Sequence, residues 1–429
     1  MPYGRRGLRL VPVVRVTPEV RRARNAVAVT FTGFGFATAS WAARIPEVRA
    51  ALNVSPGVLG LILLFGAVGS GISVPLAGIA IARFGEARVV AAAAIVAATG
   101  LGIAAVGYQH GMPAVAAGLF GFGFGAGAGD VAMNIQGTAV ERGLGRAILP
   151  KFHAGWSIGT VAGAGLGTLM VAWHVPVTAH LLAVAVAVGV TLAVATCGFL
   201  PPSVQPGQGA HSAPGEKPGQ GAGDAARRSP LAAWTEPRTL MIGLFVLCVT
   251  VIEGMGNSWL SLGVIDGYRA SAVLGTAALS VFLAAMTVGR WFGPGAIDRF
   301  GRVAVLRTGV VAALAGLLLI GFGHYLPVAM TGAVLMGLGI SLGFPVGMSA
   351  AADDPRYAAG RVSAAASLGY LALLAGPPVI GALADGVGIL NAMMLAGVVL
   401  VAALFFSRAL APLSPVAAER PLGPVGHEK

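Results

Sequence analysis

Apolar runs of about twenty residues, recurring from residue 25 to residue 409 with short charged gaps between them, constrain this chain more than any other feature. A helix rises about 1.5 Å per residue, so about twenty residues cross the roughly 30 Å hydrocarbon layer of a bilayer. Charged residues make up 10% of the chain and hydrophobic ones 56%, whereas a soluble domain carries roughly a quarter charged residues. The chain therefore reads as an all-α integral membrane protein. Twelve helices are expected, at about 25–43, 56–82, 88–108, 113–137, 152–172, 177–200, 239–262, 271–296, 303–323, 327–350, 360–384 and 388–409. The Arg-rich start, the first apolar run and Ala37-Thr38-Ala39 imitate a cleaved secretory signal. The first run is nevertheless kept as a helix, because a partner run follows the central polar segment.

The net charge of +12 would suggest nucleic acid if it were gathered on a soluble domain. It is scattered through the gaps instead, and nucleic acid is excluded as a partner. With the N-terminus inside, 24 of the 28 Lys and Arg fall on the cytoplasmic side, Arg44, Arg49 and Arg269 fall on the other, and Arg290 lies within a span. Positively charged loops stay inside, so both termini are expected in the cytoplasm, and the pattern suits a bacterial-type inner (plasma) membrane.

Residues 201–237 are rich in Pro, Gly, Gln and Ser and nearly free of large apolar side chains. Such a segment cannot offset the entropy of ordering its backbone, so a flexible cytoplasmic linker is expected. The two sides of it echo one another. Arg83-Phe84-Gly85 returns as Arg299-Phe300-Gly301, Leu59-Gly60 as Leu274-Gly275, and Ser157-Ile158-Gly159 as Ser367-Leu368-Gly369. The expected organisation is a basic tail (1–24), a six-helix bundle (25–200), the linker (201–237), a second pseudo-symmetric six-helix bundle (238–410) and a tail (411–429). The glycines of 121–129 and 159–167 read as surfaces that let helix backbones approach closely. Cys197 and Cys248 read as small buried side chains without a disulfide.

Two similar halves, a polar linker and an RFG-containing loop after the second helix of each half resemble the major facilitator superfamily. That family's cytoplasmic loop has the form G-x-x-x-D-R-x-G-R. The second copy here keeps Asp298, Arg299, Gly301 and Arg302 but has Pro294 for the leading glycine; the first keeps Gly78, Arg83, Gly85 and Arg88 but has Ala82 for the acid. The resemblance implies a conformational latch made by Arg83, Arg88, Asp298, Arg299 and Arg302. Arg290 is grouped with it as a paired or snorkelling cation at the cytoplasmic end of helix eight. Further stretches are similar to the fucose-permease-like sugar and metabolite branch. They are Trp41-Ala-Ala-Arg-Ile-Pro-Glu47, Gly129-Asp-Val-Ala-Met-Asn134, Phe152-His-Ala-Gly-Trp-Ser157, Glu253-Gly-Met-Gly-Asn-Ser-Trp259, and Ser367-Leu-Gly-Tyr370 with Gly376-Pro-Pro378. Ser258 stands where that branch carries an acid before the tryptophan.

Ionisable groups in the hydrocarbon layer are costly, by roughly 2.5–3.5 kcal/mol on insertion scales, so each should have a partner or a task. Asp130 and Asn134 are one turn apart on helix four, Glu253 and Asn257 on helix seven, and His153 and Ser157 at the start of helix five. Asp130, Glu253 and His153 are the candidates for proton coupling, against a purely structural role in bonding helices together. Asn134, Asn257, Trp259 and Trp41 are candidates for holding the solute, although tryptophans at span ends also serve as interface anchors. Pro377-Pro378 should interrupt helix eleven.

The expected function is secondary active transport of a small solute, a sugar or related metabolite, by alternating access with proton coupling. The alternative is a proton-antiport exporter of drugs or metabolites. The implied partners are the solute, protons and the lipid bilayer, with no obligate protein partner. No cofactor, metal site or catalytic residue is expected, since the seven histidines form no metal-binding spacing and no Walker-type loop is present.

Overall fold

The computed structural model describes residues 17–146, 148–201, 230–354 and 357–413. Most of the expected linker, Arg356 and most of both tails lie outside the described residues. The described chain is helical and holds twelve helices long and apolar enough to cross a membrane. They are α1 (Pro18–Leu52), α2 (Pro56–Phe84), α3 (Glu86–Gly107), α4 (Met112–Leu144), α5 (Leu149–Ala172), α6 (Val177–Gly198), α7 (Pro237–Tyr268), α8 (Ala272–Phe300), α9 (Arg302–Phe322), α10 (Leu326–Ala351), α11 (Gly360–Val387) and α12 (Ile389–Leu410).

The sequence repeat appears as a repeat of helix signals. Ser55 caps α2 by accepting from the Val58 N–H at 3.4 Å, and Ser271 caps α8 by accepting from the Leu274 N–H at the same distance. Both helices run 29 residues and end at glycines in the positive-φ region, Gly85 at φ 80° and Gly301 at φ 83°. Only glycine adopts that conformation without a steric cost. The chain therefore reverses there and starts the next helix at once, which is what the repeated RFG element does.

Small residues set the helix spacing. A Cβ on Gly100 of α3 would meet the backbone of Gly118 and Phe122 on α4, and one on Gly159 of α5 would meet the backbone of Thr32 on α1. Where lipid gives helices no hydrophobic reason to associate, such approaches supply van der Waals contact instead.

Four details differ from the sequence reading. Helix α1 begins at Pro18, not 25, because Thr17 accepts from the Val20 N–H as an N-cap and Pro18 follows it. Helix α1 also turns at Ala43–Arg44 before continuing over Ile45–Leu52. Helix α11 runs on through Pro377 and Pro378 without a break. Cys248 is buried as expected, but Cys197 is exposed in the single 3₁₀ turn that closes α6.

The two sets of six helices meet mainly through α2 against α11 and α5 against α8. At the end of the bundle away from Thr17 and Pro237, several contacts join them. Arg49 and Asp266 form an ion pair at 2.6 Å. Asp385 accepts from the Ser55 hydroxyl and the Gly57 N–H, both at 3.0 Å. Thr168 and Ser280 bond at 3.1 Å. A Cβ on Gly60 would meet Pro377 and Pro378. At the opposite end, no ion pair among the described residues joins the two sets.

Candidate functional site

A break in α10 prepares the middle of the membrane for a charge. Pro345 has no N–H, so the carbonyl four residues earlier, that of Ser341, loses its helical partner. The helix breaks over Ser341–Leu342, and the freed carbonyl accepts from Arg290 Nε of α8 at 3.2 Å. The same guanidinium pairs with Glu253 Oε1 of α7 at 2.9 Å and donates to Ser157 Oγ of α5 at 3.4 Å. Arg290 thus ties together three helices of the second set and one of the first. Thr287, one turn earlier on α8, supports the crossing by donating to the Ser157 carbonyl at 3.5 Å. The side chains of Arg290 and Glu253 keep 27% and 22% of their exposure, so the pair is sheltered but not sealed.

A second polar group sits on α4. Asn134 donates to the Asp130 carboxylate at 3.1 Å and to the Asp130 carbonyl at 2.8 Å. The field of Asp130 reaches the Tyr370 hydroxyl on α11, and that of Arg290 reaches His153 on α5. His153 is exposed on one side and rests edge-on against Phe31, ring centroids 5.0 Å apart. Each set of six helices therefore contributes ionisable and polar groups to the seam: Asp130, Asn134, His153 and Ser157 from one, Glu253, Arg290 and Tyr370 from the other. Asn257, one turn from Glu253, is half-buried on α7.

Comparison with known proteins places this arrangement. The Major Facilitator Superfamily profile matches residues 26–370. The chain belongs to the Major Facilitator Superfamily. An uncharacterized transporter, y4wD, of Sinorhizobium fredii is 31% identical over 394 residues, 91% of this chain and 97% of the relative. An uncharacterized MFS-type transporter of Yersinia pestis is 28% identical over 354 residues, 82% and 86% of the two chains. Among solved structures, a mutant form of the nucleoside transporter NupG superposes with a TM-score of 0.74 at 13% identity, covering 91% of this chain and 99% of the other. A bacterial homologue of the human lysosomal transporter Spinster, inward-facing and unoccupied, gives 0.70 at 13% identity, covering 93% and 100%. This protein is a multi-pass membrane transporter, and its family and relatives are transporters rather than enzymes.

The structure distributes the remaining candidate residues of this family member differently from the sequence grouping. Arg290 leaves the latch set, since its partners are Glu253, Ser157 and Ser341 rather than groups at the loop end. Arg302 pairs with Asp353 at 3.1 Å, not with Asp298, and Arg238 shares that carboxylate at 2.8 Å. Arg83 and Arg299 lie over the rings that follow them, Phe84 at 5.4 Å and Phe300 at 5.1 Å. Arg88 and Asp298 are exposed. Trp259 and Trp41 are both buried. Trp259 is 0% exposed and Trp41 6%, because six residues carry Trp259 about 240° around α7 from Glu253, onto the packed face. Ser341 and Asp353 are absent from the sequence-based set. Pro345 is the available signal for the first; the second lies in a short acidic loop with no periodicity to reveal its partners.

Proposed function

We propose that this transporter moves a small polar solute, a sugar or related metabolite, by alternating access, with proton coupling through the mid-membrane cluster. The observation that carries the reading is the Arg290 guanidinium, which bonds Glu253, Ser341 and Ser157 and so spans the two halves at mid-depth. One end of the seam is held by Arg49–Asp266 and by Asp385 on the start of α2, and the other end, where no ion pair among the described residues joins the halves, is assigned as the open route to the cluster. The positive-inside asymmetry supports placing that open end, and both termini, on the cytoplasmic side of a bacterial inner membrane. Arg83, Arg88, Asp298, Arg299 and Arg302 then belong to the latch that engages when this end closes.

The two acids divide the work. Glu253 is tied to a cation, whereas Asp130 is bonded by an amide and has no ion pair among the described residues. Asp130 can gain or lose a proton without breaking a salt bridge, so it is assigned the proton and Glu253 the counter-ion role, with Asn134 and Asn257 left to meet the solute. The similarity to fucose-permease-like transporters supports a sugar or metabolite and symport.

Proteoliposomes with an internal pH dye test this. A neutral sugar that acidifies the lumen on addition outside supports symport, and Asp130→Asn should then lower proton flux at least tenfold while leaving solute exchange measurable. Alkalinisation of a preloaded acidic lumen by a lipophilic cation would instead establish export by antiport. Full proton-driven accumulation by Asp130→Asn would remove Asp130 from the coupling.

A further inference from the structure

The cluster holds one fixed cation, Arg290, and the protein already occupies it. Each of its three nitrogens has a partner: Nε the Ser341 carbonyl, one terminal nitrogen Glu253, the other Ser157. The second carboxylate, Asp130, has an amide partner and adds either no charge or a negative one. With Arg290 and Glu253 cancelling, these three groups present a neutral or negative site. An anionic solute that reached Arg290 would meet a cation whose charge Glu253 already compensates. To take Arg290 as its own counter-ion it would have to displace Glu253 and leave that carboxylate unpaired within the membrane, which is the costly arrangement there.

We propose that Glu253 masks Arg290 and thereby selects against anionic solutes, so that the transported compound is uncharged and recognised through hydroxyl or amide groups. This rests on the reading of the cluster as the solute site. The groups left to bind a neutral solute fit that class. Asn257 offers an amide, Tyr370 a hydroxyl and Asn134 its remaining lone pairs, none of which distinguishes charge but all of which pair with hydroxyls. Glu253 is then a specificity-determining residue. Its removal should not merely weaken the protein: it should create an anion site where the wild type has none.

The experiment compares purified wild type, Glu253→Gln and the double variant Glu253→Gln/Arg290→Gln, with D-glucuronate and the smaller anion lactate as probes and D-glucose as the neutral control. Thermal unfolding midpoints are followed against probe concentration at fixed ionic strength. Glu253→Gln should show saturable stabilisation by the anions at least tenfold tighter than any response of the wild type, and the double variant should lose it. The proposal is overturned if Glu253→Gln binds the anions no more tightly than the wild type, if the double variant keeps the response, or if the wild type binds them as tightly. Should Glu253→Gln not fold, Glu253→Ala supplies the same comparison, because it too removes the carboxylate that pairs with Arg290. The anion response depends only on Arg290 and its mask, while the site's part in transport is read by solute and proton flux, so failure of one is distinguishable from failure of the other.

Discussion

Arg44 shows how much a single side chain can hold together. It is 0% exposed and sits where α1 turns, with Nε donating to His180 Nδ1 at 3.0 Å, one terminal nitrogen donating to the Val175 carbonyl at 2.9 Å, and the other paired with Glu47. Arginine cannot accept, so His180 Nδ1 must be the unprotonated nitrogen and its hydrogen must sit on Nε2. Replacing Arg44 would orphan three groups at once, and each buried polar group left without its partner costs about 1–3 kcal/mol. Arg44→Gln should therefore lower the unfolding midpoint sharply in detergent. Arg44→Lys should recover little, because an ammonium is a point donor that cannot reach three acceptors lying in different directions. Glu47→Gln should cost less, since Glu47 keeps 32% of its side-chain exposure. Of this constellation, only the Arg44–Glu47 spacing is visible in the chain. His180 lies 136 residues away, and no local pattern announces such a partner, so Arg44 reads in the sequence as an ordinary loop cation. Glu253 and Arg290, 37 residues apart, are hidden for the same reason.

Elements are far more legible, because hydrocarbon thickness and capping chemistry act locally. Apolar length locates all twelve helices, and the failures are at boundaries. A count of apolar residues starts α1 late because it passes over Arg21, Arg22 and Arg24, although Thr17-Pro18 is a readable start signal. Which helices meet across the halves is not legible, since glycines line almost every face. The seam is made by particular residues: Gly60 lets α2 lie directly on Pro377-Pro378, and Asp385 supplies a carboxylate to the Gly57 N–H and the Ser55 hydroxyl at the start of α2, where the helix dipole favours negative charge. Thr168 and Ser280 touch at the same end. In a background with Cys197 and Cys248 replaced by alanine, Thr168→Cys/Ser280→Cys should cross-link under mild oxidation and stop transport, with reductant restoring it. Adding Gly60→Leu, which wedges α2 from α11, should reduce cross-linking by about half or more. Unchanged yield would mean that this seam does not hold the end shut.

At the scale of the whole molecule, the charge distribution determines which way the transporter faces. On the proposed topology the cytoplasmic side carries 24 Lys and Arg against three on the other, and each basic residue near an anionic leaflet contributes about 1 kcal/mol. A difference that large leaves little of the protein inserted the other way. His110, in the loop between α3 and α4, and Arg146, between α4 and α5, are exposed at opposite ends. In the same cysteine-free background, His110→Cys should react with a membrane-impermeant maleimide on intact cells, and Arg146→Cys only after permeabilisation. The reverse pattern would invert the topology and, with it, the side to which the seam opens. The same pair of probes reads the transport cycle as well. The loops carrying them lie outside the seam, so their labelling should not change when solute is added, whereas a cysteine at His153, inside the open end, should become protected as that end closes. Rigid halves exchanging access around a fixed cluster require both results together.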